Sequence, residues 1–263
     1  MFIFWGRKIT RHQLGYVADF CGICRGARAF RLNRVGSVGH VYYISFGEGQ
    51  LLGHERVCTD CGVFSTANAA AYASVSPTIR PIEELKRVTA PNFDSAMKER
   101  LAIEEKVVKS PHTLTATERE ALIRVPFALL SPKVERRFSS THIDMWVGLS
   151  FLGAIVLLIA AAPLGKLFAP SSPDSMFWVA LAAGTALIIW QSLASGPRFM
   201  NKEVLPLLSR ALAPLRPTEQ EIERTLGELK QHGHKMGKKL KASTVLGAMM
   251  NSATTAPASA AST

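Results

Sequence analysis

Two apolar runs constrain this chain more than any other feature. Residues 145–162 and 176–194 each pass without a charged side chain. A helix rises 1.5 Å per residue, so about 20 residues cross a hydrocarbon core of roughly 30 Å. The pair predicts two transmembrane helices, 145–168 and 176–195, joined by a turn of proline and serine at 169–175. The competing reading is a pair of long core helices in a soluble protein. Such helices usually carry a polar face, and neither run has one.

The flanks set the expected direction. Arg136 and Arg137 precede the first run, and Arg198, Lys202, Arg210 and Arg216 follow the second. Basic residues stay on the cytoplasmic side of a bilayer. Both termini are therefore expected to be cytoplasmic, in a multi-pass protein of the inner membrane. Trp146, Trp178 and Trp190 fall near the ends of the runs, where indole rings settle among the headgroups. Proton relays and ion pathways need intramembrane charges as a rule, so transport by this chain alone is not expected. Gly148 and Gly153, with Ala180 and Gly184, are small enough to let helices approach closely.

The net charge of +11 is uneven: +7 over residues 1–140, zero over 141–200 and +4 over 201–263. The excess lies in the parts expected to be cytoplasmic. It predicts attraction to an anionic leaflet, up to about 1 kcal/mol per basic residue near the surface. Nucleic acid is the sharper alternative, but no stripe of interleaved arginine and aromatic residues supports it.

The strongest chemical signal is a pair of CxxC motifs, Cys21-Gly-Ile-Cys24 and Cys58-Thr-Asp-Cys61, with 33 residues between them and no other cysteine in the chain. Zinc takes four tetrahedral ligands, and each CxxC turn aims two sulfurs at one spot. Residues 1–75 otherwise read as strand candidates with a hairpin turn at Gly47-Glu48-Gly49. A soluble domain of that size buries little core, so a metal staple fits. Cys21, Cys24, Cys58 and Cys61 are the expected ligands of a structural zinc. An iron site of the rubredoxin type uses the same paired turns and ranks second. A redox dithiol wants its CxxC at a helix N-terminus, which this strand-rich setting does not offer. On the reducing side of the membrane structural disulfides are disfavoured.

The opening Phe2-Ile3-Phe4-Trp5-Gly6, a basic strand, CxxC, a long β insertion and CxxCG together resemble the small bacterial zinc-ribbon proteins that begin with a Phe-Ile-x-Trp-Gly strand. The resemblance covers residues 1–65. It implies zinc on the same four cysteines. The sequence departs from that pattern in having no proline in Cys21-Gly-Ile-Cys24 or in the insertion at 35–50.

After a small-residue linker, residues 76–144 read as a helical juxtamembrane region. Phe93, Met97, Leu101 and Val108 share one expected face, and Thr117 with Glu120 forms an expected capping box. Pro126 should kink or end that helix. Glu104, Glu105, Glu118 and Glu120 read as a solvated face. Residues 196–245 read as cytoplasmic helices. The first is basic and leucine-rich and suits the leaflet surface. Thr218 and Glu221 form a second expected capping box. A heptad seam of Ile222, Leu226, Leu229, Gly233, Met236 and Leu240 follows. The tail, 246–263, reads as disordered.

The expected fold is therefore an α+β membrane protein of several parts: zinc β-ribbon, helical linker region, two-helix transmembrane hairpin and cytoplasmic helices. The expected role is a membrane-tethered interaction or adaptor module without catalysis. Its protein partner would dock near 38–50, using Phe2, Phe4, Trp5, Tyr42, Tyr43 and Phe46. The alternatives are a membrane-bound thiol redox protein and a nucleic-acid-binding ribbon.

Overall fold

The computed structural model describes residues 5–41, 44–45, 47, 49–139, 144–168 and 173–254. Phe2, Phe4, Tyr42, Tyr43 and Phe46 lie outside the described residues, as do 169–172 of the expected external turn and 255–263 of the tail; Trp5 is described by its backbone alone. The chain divides into two compact units, Met1–Val134 with Leu207–Thr263, and Glu135–Pro206.

The first unit is built on an antiparallel sheet. Its strands are β1 (Trp5–Cys21), β2 (Gly26–Val41), β3 (Ile44–Ser45), β4 (Gln50–Cys58) and β5 (Phe64–Ala67). The order is β1-β2-β4-β5, with β3 on β2. The candidates on either side of the first CxxC prove to be two long strands. They stay in register from Trp5↔Val41 to Cys21↔Gly26, with one shift between Gln13 and Gly15. That shift needs glycine. Gly15 has φ +151°, and a Cβ there would sit 2.4 Å from the Ser76 carbonyl oxygen. Tyr16 and Ser76 exchange backbone hydrogen bonds of 2.7 and 2.9 Å. The small-residue stretch expected as a linker is therefore β5 followed by chain fastened back onto β1.

Helices α1 (Ile82–Thr89), α2 (Phe93–Ala96), α3 (Lys98–Lys109) and α4 (Ala116–Ser139) follow. The Thr89 hydroxyl accepts from the Ala18 backbone N–H at 2.9 Å, holding α1 to β1. The expected face on α3 is turned. Phe93 is buried, but Val107 is the buried valine and Val108 is 75% exposed. The capping box of α4 is Thr115 with Glu118, two residues before the expected pair. Pro126 does not end α4, which continues through Pro132 to Ser139. A proline in a helix interior costs about 3 kcal/mol. Burial of Leu122, Ile123, Phe127 and Leu130, at about 1.5–3 kcal/mol per large apolar side chain, outweighs that cost.

The returning chain supplies α7 (Leu205–Leu212), α8 (Glu219–Gln231), α9 (Lys235–Lys239) and α10 (Ala242–Thr254). The leucine-rich helix expected on the leaflet is instead packed in protein, with Leu208, Ala211 and Leu212 fully buried. The Thr218–Glu221 capping box is present. Every apolar position of the heptad seam is buried, but Gly233 (φ +81°) breaks the helix, so Met236 belongs to α9. The seam faces α4. Arg119 pairs with Glu221 at 2.6 Å, and Arg124 with Glu228 at 2.9 Å. Residues 246–254 of the expected disordered tail are helical, anchored by buried Val245.

The second unit holds α5 (Met145–Phe168) and α6 (Pro173–Phe199), which passes through a π-helical turn at Met200–Val204. A Cβ on Gly184 would lie 3.0 Å from the Ala154 Cβ, so the two helices meet there at close range. Gly148 and Gly153 face open space and take no part in that contact. Large apolar side chains point outward. Val156, Ile159, Trp178, Val179, Trp190 and Leu193 are 61–73% exposed. The helix Ser175–Leu212 is long and apolar enough to cross a membrane, while the apolar stretch of α5, Met145–Ala161, is shorter.

Candidate metal centre

Each CxxC lies in a hairpin turn of the sheet. Cys21 ends β1 and Cys24 precedes β2; Cys58 ends β4 and Cys61 precedes β5. Both turns close on a residue with positive φ, Arg25 at 57° and Gly62 at 67°. The second turn is tightened by bonds from Cys58 N–H to Val63 and from Gly62 N–H to Cys58, both 2.9 Å. Register brings the turns together, because Phe30 of β2 stands opposite Cys58 of β4. Thr59 donates to the Ala29 carbonyl from its N–H and from its hydroxyl, at 3.0 and 2.8 Å. Arg28 and Asp60 make an ion pair of 2.8 Å across the two turns.

The sheet thus brings all four expected ligands to one point. The Sγ atoms of Cys21, Cys24, Cys58 and Cys61 lie within 4.8 Å of one another. Cys21 and Cys61 are 3.5 Å apart, and Cys24 and Cys58 4.0 Å. Sulfurs at 2.3 Å from a tetrahedral centre are separated by about 3.8 Å, so the cluster fits a metal ion of that kind. Cys21, Cys58 and Cys61 are buried and Cys24 is partly exposed. The Cys24 N–H donates to the Cys21 sulfur at 3.4 Å. His12 is exposed and His54 partly exposed, and neither belongs to the cluster.

Proximity couples the four thiols electrostatically. Four thiols this close do not ionise together. Hydrogen bonds from Cys21, then from Cys61, hold Cys58 down at about 2. Hydrogen bonding to Cys58 and Cys61, with burial, pushes Cys21 well up. Burial raises Cys24. Cys61 is raised to about 12; its bond from Cys21 pulls it down, but its bond to Cys58 and burial prevail. A divalent ion held at the centre would supply the charge that makes four thiolates tolerable.

Helices close over the first turn. Ile23 is fully buried, and a Cβ on Gly22 would lie 2.8 Å from the Leu129 side chain of α4. Arg25 reaches inward, with Nε 2.8 Å and Nη2 2.7 Å from a Glu104 carboxylate oxygen, and donates from Nη1 to Ala211 at 2.8 Å. Arg100 holds the other Glu104 oxygen at 2.9 Å. Glu104, expected on a solvated face, is 7% exposed. A second network joins Asp19, Arg56 and Tyr72. The Tyr72 hydroxyl donates to Asp19 at 2.5 Å, Arg56 pairs with the same oxygen, and the Arg56 guanidinium lies 5.5 Å over the Phe30 ring. Sequence reading found neither network. The only signal in the sequence is a basic residue beside each motif, Arg25 after the first and Arg56 before the second.

Comparison with family models, with curated proteins and with solved structures gives no match for this chain. The class it belongs to is therefore defined by its own architecture: an antiparallel sheet with a four-cysteine centre, joined to a unit with a membrane-length apolar helix.

Proposed function

We propose that this chain is a membrane-tethered adaptor whose zinc ribbon is structural and whose hairpin, α5 and α6, crosses the inner membrane twice with both termini in the cytoplasm. The convergence of four sulfurs from two β-turns is the observation that carries the reading. Cys21, Cys24, Cys58 and Cys61 hold the ion, and zinc supplies charge and cross-linking there, not a reacting centre. Four thiolates complete a tetrahedral shell and leave no position for water or substrate. Burial of three of them, and the helical cover over Gly22 and Ile23, agree with that role. The resemblance to bacterial zinc ribbons points the same way.

The membrane part rests on the second unit. A core helix of a soluble protein turns its apolar residues inward, whereas most of the large apolar residues of α5 and α6, Trp146, Ile159, Trp178 and Leu193 among them, are exposed. The basic flanks set the orientation. The segment 38–50, in which Gly39, Gly47, Gly49 and Gln50 are exposed, then faces the cytoplasm as a docking surface for a protein partner. Labelling with an impermeant thiol reagent tests the topology. Ser172→Cys should react from outside intact cells and Ser259→Cys should not. The reverse pattern overturns the assignment.

A further inference from the structure

One cavity of the second unit has a chemistry that the adaptor reading leaves unused. It encloses about 240 Å³ and is lined by Arg137, Arg198, Lys202, Asp144, Glu203 and Trp146, among others. Three cations and two carboxylates leave it one positive charge in excess. The cations are unequally committed. Arg198 is answered by Asp144 at 3.2 Å and by the Gln191 side chain at 2.6 Å. Among the described residues Arg137 meets only neutral groups, donating to the Ser195 hydroxyl at 2.8 Å and lying 5.6 Å over the Phe199 ring. Lys202 is exposed and has no ion pair among the described residues.

We propose that this cavity binds the phosphodiester of one anionic phospholipid, a proposal that rests on the membrane reading above. A phosphodiester carries one negative charge, which matches the excess. The volume exceeds the roughly 30 Å³ share of one water but falls below the ~300–1,000 Å³ of sites that enclose a whole small molecule. It suits a headgroup whose acyl chains lie outside. Arg137 and Lys202 supply charge-assisted donors. The amino-terminal end of α5 also borders the cavity, where Asp144 caps it by accepting from the Val147 N–H at 2.9 Å. Trp146 is 48% exposed, and an indole at the mouth sits where the bilayer has its headgroups. Basic pockets beside membrane helices on the cytoplasmic side take lipid headgroups by the same logic.

The test uses the full chain, carried in nanodiscs of phosphatidylcholine with one fifth phosphatidylglycerol, then transferred to detergent and weighed by native mass spectrometry. Wild type should retain one phosphatidylglycerol per chain. Lys202→Gln, an exposed position whose change leaves packing intact, should cut retention about tenfold, the equivalent of one charge-assisted bond. Arg137→Gln should do the same, with circular dichroism confirming that its helices are intact. Inorganic phosphate should not displace the lipid; displacement would make the site one for free phosphate and overturn the lipid assignment. Insertion of wild type without retained phosphatidylglycerol, or equal retention by Lys202→Gln, overturns the proposal while leaving the membrane reading in place. Recovery of wild type in the soluble fraction without detergent overturns that reading as well.

Discussion

The two compact units use the same apolar residue types in opposite ways. In the sheet-bearing unit Val17, Leu32, Phe127 and Leu212 are sealed inside, and even charged side chains such as Glu104 are drawn in and paired. In Glu135–Pro206, tryptophan, isoleucine and leucine side chains face outward while alanine and glycine meet at the helix contact. One unit excludes water by closing on itself. The other keeps large apolar side chains at its surface, as the membrane role proposed above requires. Close approach of small residues then replaces hydrophobic burial as the means of packing helices.

The largest effect is expected at the metal. Cys58→Ser should abolish stoichiometric zinc and unfold the sheet-bearing unit, because structural zinc contributes on the order of 10 kcal/mol in small domains. Near-ultraviolet circular dichroism and metal analysis read both outcomes. The α5–α6 hairpin should keep its helicity, and simultaneous loss of it would erase the distinction between the units.

Glu104→Gln comes next. It leaves the Arg25 and Arg100 charges without their carboxylate, and breaking a buried pair costs about 3–5 kcal/mol. Since Arg100 keeps some solvent access, about 3 kcal/mol is expected in denaturant unfolding of the first unit. A change within about 0.5 kcal/mol would mean that this pair behaves like an exposed one.

Leu187→Arg sharpens the contrast from the other side. Leu187 is 42% exposed, so in water the change should fall within about 0.5 kcal/mol. In a bilayer it should cost about 2.5–3.5 kcal/mol of insertion. The membrane-integrated fraction in an insertion assay distinguishes the two.

The smallest effect is at Glu221. Hydrogen bonding from Arg119 holds its carboxyl down at about 2, below its ordinary value. Its stabilisation should be complete above about pH 4.3 and disappear as pH falls through about 2. Solvent access limits the gain to about 1 kcal/mol. Glu221→Gln should remove that acid-dependent increment from the unfolding curve while leaving zinc content unchanged at pH 7.

What could be read in the sequence was what depends on short spacing. CxxC fixes a turn with two sulfurs whatever surrounds it, and Thr218-x-x-Glu221 caps a helix by itself. What was hidden depends on distant partners. Nothing near Glu104 announces Arg25, 79 positions away, so the carboxylate reads as one more surface charge. The length of β1 was obscured because the irregularity at Gly15 interrupts its alternation, and its cause, Ser76, lies beyond β5. Pro126 misled for the same reason, since the apolar contacts that carry α4 through it come from elsewhere in the fold.

We propose that four cysteines from two turns form one closed structural zinc site. Thiol titration of the folded full chain in detergent, combined with metal analysis, tests it most directly. The expected result is one zinc per chain, thiols that react slowly before chelation, and all four thiols reacting once a chelator removes the ion and the sheet-bearing unit opens. A chain that is folded, free of metal and reactive at its cysteines from the start would contradict it.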